Sequence, residues 1–128
     1  MRLLLDTHAL IWWWRDDPAL SRPAHAAMSD SNNEVFVSAA TAWEIATKYR
    51  IGKLDVDPAT AADLEGEIAR DGFYGLPISF RHGQFAGALI GAHKDPFDRM
   101  IIAQSLLENM TLVSNERPFD AYGIQRLW

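Results

Sequence analysis

A chain of 128 residues and 14.4 kDa, 48% hydrophobic and 23% charged, has the balance of one globular domain that folds by itself and is too short for two. Twelve Lys plus Arg against seventeen Asp plus Glu give a formal net charge of -5, which argues against a broad cationic surface for wrapping duplex DNA and confines nucleic-acid contact to local patches. The absence of cysteine excludes disulfides, thiolate zinc sites and a thiol nucleophile; with neither a signal-like leader nor a bilayer-spanning apolar run, a cytoplasmic protein without membrane attachment is expected.

Arg2 to Leu5 is a nearly continuous apolar run ending at Asp6, the pattern of a central strand covered on both faces. Thr7 to Arg15 reads as a short helix, and Pro18, Ser21 and Pro23 mark a turn into a second one reaching Ser29. Val35 to Val37 forms the next strand. Ala42, Ile45, Ala46 and Tyr49 then fall on one helical face, with Gly52 where a helix commonly stops. Asp57 and Pro58 look like the cap and first turn of a helix running to Arg70. Phe73 to Ile78 is a short strand interrupted by Gly75 and Pro77, and Ser79 to Ile90 is weakly helical. Asp95 and Pro96 open the clearest helix, through Glu108; Thr111 to Ser114 reads as a buried strand and Ile124 to Trp128 as a last one. Strands alternating with helices imply an α/β sandwich with a mostly parallel sheet, whose sites gather beyond the carboxyl ends of the strands.

Separate segments place carboxylates at that edge: Asp6 after the first strand, Glu44 in the helix after the second, Asp95 and Asp98 at a helix start, and Glu116 past the fourth strand. Each has a local explanation. Asp6 can cap the following helix, Thr41 and Glu44 have capping-box spacing, Asp95 suits a cap and Asp98 the helix dipole, while Glu116 can be a solvated loop residue. Independent caps need not converge, however, and gathered carboxylates repel each other unless a cation lies between them. An oxygen-only set without cysteine or a histidine pair suits a hard ion, Mg²⁺ or alternatively Mn²⁺, and phosphodiester hydrolysis is the natural chemistry of such a centre.

At these residues the sequence resembles a known family. Leu4-Leu5-Asp6-Thr7-His8-Ala9-Leu10 is similar to the opening of VapC-type PIN domains, and Ser38-Ala39-Ala40-Thr41-Ala42-Trp43-Glu44-Ile45 to their second acidic motif. Asp95-Pro96-Phe97-Asp98-Arg99-Met100-Ile101-Ile102-Ala103-Gln104 resembles the third, and Leu112-Val113-Ser114-Asn115-Glu116, with Phe119 and Tyr122-Gly123-Ile124, the closing segment. The resemblance implies a single PIN domain over residues 1–128, a three-layer sandwich, with Asp6, Glu44 and Asp98 as catalytic metal ligands and Asp95 and Ser114 in support. It implies a Mg²⁺-dependent endoribonuclease toxin with an RNA substrate, held inactive by a cognate VapB-type antitoxin and forming a homodimer. The last motif departs from the family, which usually has aspartate where this chain has Glu116; direct contact with the metal, contact through water and orientation of another ligand all stay open there.

Beyond the motifs, Trp12, Trp13 and Trp14 spread around more than half of a helix, so at least one is expected at the surface, where a protein interface fits an acidic chain better than a base-stacking role. Lys48 and Arg99 are the expected RNA-phosphate contacts, Arg99 foremost. His8 is expected to hydrogen-bond locally. Among competing readings, an aspartyl phosphatase needs a second acid where His8 stands, and a receiver-like switch needs a phosphorylatable aspartate where Ser38 stands. A non-catalytic PIN scaffold that binds RNA or an antitoxin is the stronger alternative.

Overall fold

In the computed structural model, which describes residues 1–128, the opening apolar run forms β1 (Arg2–Leu5), with Leu3, Leu4 and Leu5 fully buried. There follow α1 (Thr7–Trp14), α2 (Arg22–Ser29), β2 (Glu34–Ser38), α3 (Ala39–Arg50), α4 (Pro58–Ala62), α5 (Leu64–Arg70), β3 (Tyr74–Leu76), α6 (Phe80–Ala88), α7 (Pro96–Leu107), β4 (Thr111–Val113), a 3-10 turn (Arg117–Tyr122) and β5 (Gln125–Leu127). The sheet has the order β3-β2-β1-β4-β5, and every pairing is parallel. β1 is therefore central, which is why it carries no polar residue between Arg2 and Asp6.

Alternation along β1 divides the core into two layers. Leu3 and Leu5 pack with Leu10, Met28, Val37, Ile45 and Phe73 on one face, while Leu4 packs with Ile101, Ile102, Leu112 and Phe119 on the other. Helices cover both faces, giving the expected three-layer sandwich. The chain steps outward from β1 to β3, then returns through α6 and α7 to lay β4 against the free side of β1. The winding direction thus reverses between β1 and β4, where open parallel sheets form a crevice at the strand ends.

Three local expectations change. The helix expected from Asp57 to Arg70 is broken at Asp63, which leaves helical conformation (φ -148°, ψ 70°) and caps α5 through the Gly66 N–H. An aspartate side chain competing for backbone donors, with glycine three residues later, favours the restart over continuity. The 3-10 turn at Arg117–Tyr122 was not anticipated. None of Trp12, Trp13 and Trp14 lies free on the surface: Trp12 packs on Trp128 (ring centroids 5.7 Å apart), Trp13 meets both Phe73 and His25, and the Trp14 indole donates to Asp71 at 3.0 Å. The chain terminus and the turn after α5 enclose the side of α1 that a two-layer view leaves open.

Candidate functional site

Asp6 ends β1 because its carboxylate caps α1, accepting the His8 N–H at 3.3 Å. It is only 2% exposed, and Ser114, 1% exposed beyond the end of β4, donates its hydroxyl to the other carboxylate oxygen at 2.7 Å. This hydrogen bond ties the two strands together at the point where the winding reverses. Ser114 Oγ also accepts the Glu116 N–H at 3.0 Å, which sets the direction of the chain after β4. Burial raises Asp6 above the ordinary carboxylate range; the Ser114 hydrogen bond opposes the rise, as do the charge and N–H of His8, and the charge of Glu116 adds to it.

Glu44 lies inside the protein, 4% exposed. Its expected capping box with Thr41 is not formed, because Ser38 caps α3 by accepting the Ala40 N–H, leaving Thr41 and Glu44 free to face α1. Thr7 donates to Glu44 Oε1 at 2.7 Å and stands 3.1 Å from the Thr41 hydroxyl, and the Lys48 ammonium pairs with Glu44 Oε2 one helical turn along α3. Lys48 is held more firmly protonated by that hydrogen bond, and Asp95 and Asp98 contribute through their charges.

The third motif is built as helix-start grammar suggests. Asp95 caps α7, accepting the N–H groups of Phe97 at 2.9 Å and Asp98 at 3.3 Å, and Pro96 takes the first turn. Asp98 Oδ2 accepts from His93 Nε2 at 2.7 Å. Burial, first of all, pushes Asp98 up to about 6, with the charges of Asp95 and Asp6 adding and His93 opposing.

The fold therefore brings Asp6, Asp98, Asp95 and Glu116 into one electrostatic neighbourhood, with Glu44 joined to it through Lys48. It does not close them around a point, since no three acidic or histidine side chains stand near enough to hold one ion. Each carboxylate has turned to a nearby donor instead: Ser114 for Asp6, Thr7 and Lys48 for Glu44, His93 for Asp98. The donor set still suits a hard divalent cation, because burial raises both Asp6 and Asp98, and the charge of Asp6 adds to the rise at Asp98, which such a cation would relieve.

Arg99 requires a correction as a phosphate contact. Its guanidinium donates to the carbonyl oxygens of Ala86 at 3.0 and 3.2 Å and of His93 at 2.9 Å, and also to that of Leu89. A fork so occupied fixes the end of α6 and the loop before α7 rather than reaching toward a ligand. Lys48, partly exposed, keeps a place beside the carboxylates. His8 makes local contacts, stacking 5.6 Å from Trp12 and lying 3.8 Å from Asp6. Sequence reasoning missed the hold of Thr7 on Glu44, although Thr7 sits inside a quoted motif; His93 stands among the basic residues around the third motif, but nothing in the local pattern signals that it holds Asp98.

The PIN domain profile matches residues 3–125. Ribonuclease VapC16 of Mycobacterium tuberculosis is 37% identical over 57 residues, which are 44% of this chain and 40% of that protein. Among solved structures, a chain in the structure of VapBC2 from Rickettsia felis bound to a promoter DNA fragment superposes with a TM-score of 0.70 at 18% identity, covering 99% of this chain and 98% of that one. The DNA-bound VapBC of Salmonella typhimurium gives a TM-score of 0.69 at 21% identity, with 99% and 97% covered. At these identities the structures establish the shared fold.

Proposed function

This chain belongs to the PIN-domain family, and we propose that it is a divalent-metal-dependent endoribonuclease toxin held inactive by a VapB-type antitoxin. The observation that carries the reading is Asp6, a nearly completely buried carboxylate at the β1/β4 switch that shares its electrostatic field with Asp98 from a distant segment. Asp6, Glu44 and Asp98 would hold Mg²⁺ or Mn²⁺, with Asp95 and Glu116 adding negative charge around them. When bound, the ion supplies positive charge to the scissile phosphate and acidifies the attacking water. Ser114 keeps Asp6 oriented and favours its ionised form; Thr7 does the same positioning for Glu44, and His93 for Asp98. Lys48 balances the charge of Glu44 and, with Glu44 engaged by a metal, would be placed to meet the RNA backbone.

An apolar cleft of about 530 Å³ lies between α3, α5 and β3, lined by Leu10, Trp14, Ile45, Ile68 and Phe73 among others, with Thr41 on its wall. A concave apolar surface of this kind suits the nonpolar face of an antitoxin helix. The exposed Phe80 and Ile90 bracket α6 and suit a homodimer contact. The test compares cleavage of total cellular RNA by purified, partner-free protein with Mg²⁺, with chelator, and after Asp6→Asn or Asp98→Asn. Metal-dependent cleavage lost in both variants supports the ribonuclease; folded protein that binds metal yet cuts nothing supports a non-catalytic scaffold.

A further inference from the structure

The acidic site has an aromatic neighbour to which the catalytic scheme gives no task. Trp43 is 63% exposed, whereas Trp12, Trp13, Trp14 and Trp128 all pack against the core. It precedes Glu44 on α3, and its ring meets Phe97, which precedes Asp98 on α7, edge to face at 4.9 Å and 77°. This aromatic pair bridges the helices that carry two of the proposed ligands. It holds one edge of the indole against the helix start that carries Asp98 and leaves most of the ring in solvent. A large apolar side chain held rigid and left in water is primed for a flat partner.

We propose that Trp43 is a stacking platform for an unpaired base of the RNA beside the scissile phosphate; the inference rests on the ribonuclease reading above. In a chain of net charge -5 an exposed tryptophan would by itself suit a protein interface, but Trp43 adjoins Glu44 and meets Phe97 beside Asp98. Next to those proposed ligands stacking, which is indifferent to backbone charge, can supply the affinity for RNA that a sparse cationic surface does not. Lys48, one turn beyond Glu44 on the same helix, is placed to complement it at a neighbouring phosphate. A platform that takes any base favours single-stranded RNA, since paired bases offer no free face.

The experiment uses the full chain, Ca²⁺ in place of Mg²⁺ to hold cleavage, and a labelled mixed-sequence single-stranded oligoribonucleotide of about ten nucleotides. Trp43→Ala should weaken its binding by roughly 5- to 100-fold, while Trp43→Phe stays within a few-fold of wild type. With Mg²⁺, the alanine variant should show a raised KM and little change in kcat. Its Mn²⁺ affinity should stay unchanged, which separates stacking from displacement of Asp98 through Phe97. Unchanged RNA affinity in Trp43→Ala, with wild-type protein still cutting RNA, overturns the stacking role alone. So does a variant that loses self-association or antitoxin binding but not RNA binding, since the indole is then a protein contact. Wild-type protein that neither binds nor cuts RNA overturns the ribonuclease reading together with this inference.

Discussion

Replacing Ser114 by alanine tests whether the link between β1 and β4 exists to keep Asp6 charged. The hydroxyl donates to a carboxylate that is 2% exposed, at 2.7 Å, and accepts the Glu116 N–H at 3.0 Å. A hydrogen bond to a buried charge contributes about 1.5–3 kcal/mol and a neutral one about 1, so the variant should lose about 3 kcal/mol near neutral pH in chelator, roughly 10 °C in Tm. The deficit should depend on pH in a defined direction. Burial raises Asp6 in the folded state above its ordinary 3.8, so ionising it removes stability as pH climbs from that value to the folded one. Without the hydroxyl the folded value climbs further, so the additional loss opens only above the wild-type folded value and closes in acid. Urea denaturation in EDTA at about pH 4 and about pH 8 measures both limits, with a deficit of about 1 kcal/mol expected at the acidic one. Saturating Mn²⁺ should narrow the gap at the higher pH, since an ion bound only by the folded state restores stability. Equal deficits at both pH values, or none at about pH 8, would refute the charge-supporting role of Ser114.

Asp98 is pushed up to about 6, so protons compete with a divalent ion there as pH falls through that value. Mn²⁺ affinity and RNA cleavage should drop about tenfold per unit below it, and titrations across this range would give a flat profile if Asp98 were not a ligand. Lys48→Met removes the ammonium that balances Glu44 and lies in the field of Asp95 and Asp98. Calorimetry should show Mn²⁺ bound about fivefold more tightly, on the order of 1 kcal/mol, while RNA affinity measured with Ca²⁺ falls. Arg99→Lys cannot reproduce a fork that serves the carbonyls of Ala86, Leu89 and His93, and thermal unfolding should report a loss of about 2–4 kcal/mol. RNA affinity of the folded variant should match wild type; a selective loss of RNA binding would restore Arg99 as a phosphate contact.

Elements whose signals are local were legible in the sequence. β1 announces itself by unbroken apolarity, and α7 by Asp95 and Pro96, because strand burial and helix capping are written in neighbouring residues. The helix break at Asp63 was not, since a capping aspartate inside a helical stretch looks like any polar surface position until its φ and ψ are known. Arg99 shows the same limit at the site. Its place beside Asp98 suggested a ligand-facing cation, but the carbonyls that occupy it lie 13, 10 and 6 residues back along the chain. The tryptophans reversed for a related reason. Trp12 depends on Trp128 at the far end of the chain, whereas Trp43, quoted only as part of a motif, is the indole left in solvent.

In the proposed site Asp6, Glu44 and Asp98, each turned to its own donor without metal, share the binding of a divalent ion. Mn²⁺ binding followed by electron paramagnetic resonance in wild type, Asp6→Asn, Glu44→Gln and Asp98→Asn measures this without relying on RNA. Shared ligation predicts a bound-ion signal in wild type and affinity reduced at least about tenfold in each folded variant. Variants that bind Mn²⁺ as tightly as wild type would show that these carboxylates do not share a metal.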